Sequence, residues 1–191
     1  MRAMASSMSP PMQSPCHPRL RHHVPMSHAV SIRPVAPEEH ASVGDLVVRA
    51  YRTVYDDLGD YEAVLRRVAH RARHASVLVA HLDGRLVGTV TYVDGPGPYA
   101  EGDDPDAGWI RMLAVDESAR GRGIGRQLAE ACIDLARRSG RRRLLLNTGD
   151  PQVVAQRMYE RLGFERRPQD DEDVDGDGEL WLRGYGLELH A

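Results

Sequence analysis

The chain has 191 residues, 41% of them hydrophobic and 28% charged, with a formal net charge of −3. That is enough chain for one domain with a real core, and it lacks the basic excess that marks a bulk nucleic-acid binder. No apolar run approaches the roughly 20 residues of a membrane span. Two cysteines, Cys16 and Cys132, do not make a disulfide framework, and a reducing, cytoplasmic setting is the simpler expectation. Every one of the 25 residues in the Lys+Arg count is arginine. Arginine therefore also fills generic surface positions, and its number carries little weight.

Residues 1–28 read as a disordered tail, with 29–191 as the folded domain. Met1, Met4, Met8, Met12 and Met26 are scattered among Ser, Pro and His without apolar periodicity. The stretch has no h-region and does not read as a signal peptide. His17, His22, His23 and His28 are incidental in such a segment rather than a metal cluster. A translation start at Met26 is an open alternative, since patterned sequence begins just after it.

Val30 to Arg33 alternates and predicts a short strand ending at Pro34. Pro37-Glu38-Glu39 opens a helix, with proline and acids in its first turn. Leu46, Val47, Ala50, Tyr51 and Val54 give it one apolar face, and Asp56 to Asp60 breaks it. A second helix is predicted from Tyr61 to Arg71. Val77 to Leu82 is a strand, Asp83-Gly84 a hairpin turn, and Leu86 to Val93 the return strand. Gly95-Pro96-Gly97-Pro98 ends it. The acids from Glu101 to Asp106 read as a solvated loop. Trp109 to Val115 is a nearly continuous apolar strand, as a central position requires.

A helix from Gly123 to Ser139 follows, with Ile124, Leu128, Ala131 and Leu135 on one face and Gly140 as its C-cap. Arg143 to Asn147 reads as a buried strand and Gln152 to Leu162 as a helix stopped by Gly163. Phe164 to Arg167 and Leu180 to Leu189 read as the last strands, separated by an acidic loop. The order β-α-α-β-β-β-α-β-α-β-β describes one α/β domain with a mixed sheet.

The chemistry is concentrated at Arg120-Gly121-Arg122-Gly123-Ile124-Gly125. A helix N-terminus offers unpaired N–H groups and a partial positive charge, which together bind phosphates. The three glycines permit close backbone approach, and Arg120, Arg122 and Arg126 add charge. A Walker loop needs lysine, and there is none. A dinucleotide-binding loop needs a third glycine where Arg126 stands.

The hexapeptide resembles the Gcn5-related N-acetyltransferase (GNAT) signature Arg/Gln-x-x-Gly-x-Gly/Ala, matched at Arg120, Gly123 and Gly125. Ala155-Gln156-Arg157-Met158-Tyr159-Glu160-Arg161-Leu162-Gly163-Phe164 resembles the same family's later Ala-x-x-Leu/Met-Tyr-x-x-x-Gly-Phe segment. The likeness covers about residues 30–189. It implies a largely antiparallel sheet with a central, splayed parallel strand pair flanked by helices. It implies acetyl-CoA as co-substrate, no metal, and direct acetyl transfer to a primary amine of a small molecule or peptide.

The resemblance places Leu113, Ala114 and Val115 along the pantetheine arm, residues 120–126 around the pyrophosphate, and Asn147 and Gln152 as further contacts. A turn role for Asn147 stands beside the contact role. Tyr159 would be the acid that serves the departing thiolate, with aromatic packing as its other role. Two departures from the pattern stand out. Gln152 replaces a frequent Asn, and Gly108-Trp109-Ile110-Arg111 lacks the glutamate many members carry there. The proton acceptor is then unassigned among Glu101, Asp103, Asp104, Asp106 and a water-relayed or substrate-assisted route, and a catalytically silent acyl-CoA sensor is the alternative.

Three further features are discounted. Asp171-x-Asp173-x-Asp175-Gly176 starts like a calcium loop and then fails, with Gly178 and Leu182 at its eighth and twelfth positions. Arg137, Arg138, Arg141, Arg142 and Arg143 suit a helix C-terminus better than a nucleic-acid contact. Cys132 reads as a buried structural thiol. No membrane partner is expected, and the C-terminal strands offer a surface for a homodimer that no sequence feature requires.

Overall fold

The computed structural model describes residues 29–189 except 175, 177 and 179. Strand β1 (Val30–Pro34) pairs antiparallel with β2 (Ser76–Leu82). Between them lie α1 (His40–Arg52), α2 (Tyr61–Arg66) and α3 (Val68–Arg71). Glu39 begins this crossover. Its carboxylate accepts the Ala36 N–H at 2.9 Å and two bonds from Arg33, at 2.7 and 2.9 Å. Pro37–Glu39 is a 3-10 turn, so α1 starts three residues later than proline placement suggests and ends at Arg52, leaving Val54 beyond it.

The single helix expected from Tyr61 to Arg71 is broken at Arg67, whose φ of −75° and ψ of 45° leave the helical region. Arg71 supplies the reason. Fully buried, it turns its guanidinium back to donate to the Leu65 carbonyl at 3.2 Å and the Val64 carbonyl at 3.4 Å. Carbonyls at the end of α2 thus find a donor without a continuing helix.

β2 and β3 (Arg85–Asp94) form the expected hairpin, with Asp83 and Gly84 at positive φ. β4 (Ala107–Val115), α4 (Ile124–Arg138), β5 (Arg143–Gly149) and α5 (Val153–Arg161) follow. β6 is a two-residue strand, Glu165–Arg166. β7 (Glu172–Asp173) is a second short strand inside the segment read from sequence as a loop, and β8 is Trp181–Glu188. Among the described residues the sheet has the order β1-β2-β3-β4-β5-β8-β6, with β7 also on β8. Its pairings are antiparallel except β4–β5.

Period-two alternation separates two apolar layers. Leu78, Ala80 and Leu82 of β2 pack with Ile124, Leu128 and Cys132 of α4 and with Tyr159 and Phe164. Val77 and Val79 face the other way, onto Val43, Leu46 and Val47 of α1 and Leu65 of α2. The sheet therefore lies between α1–α3 and α4–α5, and any gap in it opens to both layers.

Candidate functional site

β4 and β5 are in register at Ala107↔Arg143, Gly108↔Leu144 and Trp109↔Leu145, and there their ladder stops. Beyond, β4 keeps β3 as partner and β5 keeps β8, so the two diverge. A bulge falls in the diverging part of β4. Thr91 pairs with Arg111 and Thr89 with Ala114, so Met112 and Leu113 together oppose Val90, and Met112 sits at a φ of 52°. A bulge bends its strand and breaks the local pairing. Ala114 pairs with Thr89, and the Asp116 N–H donates to Val87 O at 2.8 Å. Since residues two apart aim their amides the same way, Leu113 and Val115 present theirs to the opening.

At the wide end of this opening, Asp116 accepts the Ser118 N–H at 3.1 Å and starts a 3-10 turn, Glu117–Ala119. Gly121 and Gly123 follow at φ of 76° and 74°. Gly123 is the N-cap of α4, and no side chain caps that end among the described residues. A left-handed residue followed by a helix gathers N–H groups into a concave nest that suits anions. Ile124 is buried in the core. Its side chain anchors the helix, so what it offers a ligand is its N–H. Arg120, Arg122 and Arg126 are exposed. Arg120 donates to the Thr53 hydroxyl at 2.7 Å, and Arg126 to Glu130 at 2.8 Å. A Cβ added at Gly125 would meet Met158, Val115 and Leu113 at ordinary contact distance.

Asn147 lies within β5, paired with Gly184, not in the turn its residue type suggests. Its amide donates to Asp170 O at 3.2 Å. Gln152 closes the turn into α5. Its side-chain oxygen accepts the Thr148 hydroxyl at 2.8 Å and the Gly149 N–H at 3.1 Å, which leaves the amide nitrogen for other partners.

Tyr159 is 4% exposed, edge-on to Phe164 at 5.5 Å, and its hydroxyl has no hydrogen-bond partner among the described residues. Burial, then the nearby Cys132 thiol, push its pKa well up. Burial also raises Tyr51, which sits in the opposite layer yet feels Tyr159 electrostatically.

On the α1 side the gap widens into a cavity of about 610 Å3. Asn147, Gly149, Gln152 and Met112 line its floor, and Tyr51, Tyr55 and Tyr61 line its wall. The rings of Tyr51 and Tyr55 are 6.0 Å apart, and those of Tyr51 and Tyr61 6.2 Å. Asp57, Glu101 and Glu172 bring carboxylates to the lining and Arg111 a guanidinium.

Glu101 departs from the solvated loop acid read from sequence. The 95–106 connection packs Tyr99 and Ala100 against Trp109, Val93 and Ala107. Arg111 clamps it twice, donating to Tyr99 O at 3.1 Å and pairing with Glu101 Oε1 at 2.9 Å. The other oxygen, Oε2, is buried without a partner among the described residues. Burial raises the Glu101 pKa, Arg111 pulls against it, and Glu172 adds to the rise. Its neighbours differ. Asp104 pairs with Arg143 at 2.9 Å and Asp103 and Asp106 are not part of the cavity lining. No sequence signal singles out Glu101, because its environment is assembled from α1, α2, β4 and β7.

Two of the arginines after α4 are tied to acids, Arg141 to Asp94 at 2.8 Å and Arg143 to Asp104 at 2.9 Å. Asp171 is held by Arg166 at 2.9 Å, Arg183 at 3.1 Å and the Gly184 N–H at 2.9 Å. Asp175 lies outside the described residues. Cys132 is fully buried, and burial pushes its thiol well up, which suits a structural thiol.

A mixed sheet split at one parallel pair, with an anion nest at the wide end, defines a class of acyltransferase folds. The model of the Acetyltransferase (GNAT) family matches residues 40–164, and the chain belongs to that family. A mycothiol acetyltransferase from Cellulomonas flavigena is 37% identical over 98 residues, which cover 50% of this chain and 28% of that protein. The chain spans less than half the length of this and other curated relatives it matches. Among solved structures, a GNAT-family protein from Desulfovibrio desulfuricans superposes with a TM-score of 0.66 at 23% identity, covering 85% of this chain and all of that one. A Salmonella typhimurium protein solved with its cofactor acetyl-CoA gives a TM-score of 0.64 at 22% identity, covering 85% of this chain and 95% of that one. These structural likenesses speak for the fold.

Proposed function

We propose that the protein is an acetyl-CoA-dependent N-acetyltransferase that moves acetyl directly to a primary amine of a small molecule or peptide. The observation that carries this reading is the β4–β5 opening, which joins the glycine nest at its wide end to the tyrosine-lined cavity. A pantetheine arm fits there as an added strand, on the amides of Leu113 and Val115. Open backbone groups in a sheet are costly without a partner, so such a gap suits a ligand that pairs with them. The N–H groups of residues 121–125 suit the pyrophosphate, with Arg120, Arg122 and Arg126 around it. Asn147 and the free amide of Gln152 flank the arm from β5 and α5.

When bound, acetyl-CoA supplies an activated thioester. The chain's residues orient it and manage charge. A backbone N–H in the bulged part of β4 polarises the carbonyl as an oxyanion donor. In this reading Tyr159, whose hydroxyl has no hydrogen-bond partner among the described residues, is the group that meets the thioester sulfur. Its raised pKa keeps it protonated, so it serves the departing sulfur chiefly as a hydrogen-bond donor while negative charge builds there. This sharpens the simpler picture of a proton-transferring acid.

The names of the relatives support acetyl transfer, and the cavity chemistry supports an amine acceptor. The test is release of CoA thiol from acetyl-CoA against a panel of primary amines. Amine-dependent thiol release is the expected result. Binding of acetyl-CoA without any release would favour the silent sensor instead.

A further inference from the structure

β4 carries no carboxylate facing the opening, and Arg111 stands in the strand instead. The amine still has to lose a proton. An alkyl ammonium with a pKa near ~10.4 is almost wholly charged at neutral pH and has no lone pair to attack with. From the cavity geometry we propose that Glu101, carried on the β3–β4 connection and held by Arg111, is the catalytic base that takes this proton. The inference rests on the acetyl-transfer reading and assigns a residue within it.

Three observations converge on Glu101. It lines the cavity that is continuous with the β4–β5 opening. Arg111 fixes Oε1 at 2.9 Å, while Oε2 is desolvated and unpaired among the described residues. An unpaired buried carboxylate oxygen is costly, and a proton on it relieves that cost. The titratable groups that share the cavity lining with it are Arg111 from β4, Glu172 from β7, Tyr61 from α2, Tyr51 from α1, and Tyr55 and Asp57 from the turn after α1. Arg71 of α3 and Arg111 are close enough to repel each other electrostatically. The three carboxylates of the lining favour a cationic acceptor, and the tyrosine faces suit its apolar part or its charge.

The balance is straightforward. One ammonium proton passes to Glu101 Oε2, freeing the nitrogen lone pair. The N–C bond forms and the C–S bond breaks. The sulfur takes up one proton, and the nitrogen sheds its second, leaving a neutral amide. Glu101 then returns its proton to solvent, and the net yield is one proton per turnover.

The test compares wild type with Glu101→Gln, which keeps a hydrogen-bonding group toward Arg111 but cannot accept a proton. Acetyl-CoA binding is measured by calorimetry. Thiol release is followed from pH 4.5 to 9 with 2-phenylethylamine, 1,4-diaminobutane and an alanine-initiated peptide. The expected result is unchanged acetyl-CoA affinity, a kcat lowered about 10²-fold or more, and loss of the acidic limb of the kcat/KM profile. In wild type that limb lies above the ordinary glutamate value of ~4.3. Glu172→Gln removes a nearby negative charge and moves the limb to lower pH. If wild type turns over and Glu101→Gln keeps both its rate and its limb, Glu101 is not the base and the acetyl-transfer reading stands. If wild type binds acetyl-CoA but acetylates no amine, both fall together.

Discussion

The hydroxyl of Tyr55 lies directly over the α-carbon of Gly149, in the space a Cβ there would need. The contact joins the turn after α1 to the end of β5, across the mouth of the cavity. Gly149 does not adopt a left-handed backbone, so its lack of a side chain is a matter of room. In Gly149→Ala the new methyl collides with the hydroxyl and stands 3.0 Å from the ring carbon that bears it. Overpacking of this kind costs about 1–3 kcal/mol. Removing the oxygen with Tyr55→Phe should recover part of the loss, so urea denaturation of the two single variants and the double variant should be non-additive. Additive losses would mean that the two residues do not meet.

Tyr159→Phe keeps the ring against Phe164 and removes the hydroxyl. Loss of a donor to developing charge lowers kcat about 10²-fold, with acetyl-CoA affinity and Tm nearly unchanged. Steady-state kinetics beside calorimetry separates the two roles. Unchanged turnover would reduce Tyr159 to packing.

Gly123→Ala places a side chain at a φ of 74°, a conformation that costs an L-residue about 1–2 kcal/mol. The strain falls on the N-cap of α4, where the nest forms. Affinity for CoA should drop at least tenfold, while pantetheine, which has no pyrophosphate, should bind the variant and wild type alike. An equal loss for both ligands would place the pyrophosphate elsewhere.

Asp171 gives a pH dependence. Burial pushes its carboxyl up, but Arg166, the Gly184 N–H and Arg183 overcome this and hold its pKa at about 2. The folded value is below the unfolded one, ~3.9. The resulting stability is therefore present above pH ~4 and is lost as pH falls through about 2. Asp171→Asn should destabilise the protein at pH 7 by about 1–3 kcal/mol, and the difference should close in strong acid. A difference constant from pH 7 to 2 would contradict the ion-pair account.

What could be read from sequence was local. Arg120 to Gly125 and Ala155 to Phe164 are short segments whose chemistry depends on adjacent residues, and both lie where the strand order implied. The break at Arg67 was hidden because its cause is the buried Arg71 side chain, not a glycine or proline. β7 is two residues long and exists through pairing with β8, which no local pattern announces. Glu101 was one acid among several in its loop. Its distinction comes from Arg111 on β4 and from Glu172, 71 positions further along the chain.

The central claim is acetyl transfer to nitrogen in the β4–β5 opening. Its most direct test uses acetyl-CoA carrying 13C in the acetyl carbonyl, the protein and the 2-phenylethylamine, 1,4-diaminobutane and peptide panel, followed by carbon NMR and thiol titration. The account predicts that label moves into an amide of an acceptor, with one CoA thiol released per amide formed. Label that stays in the thioester, or appears as free acetate without amide, would contradict it.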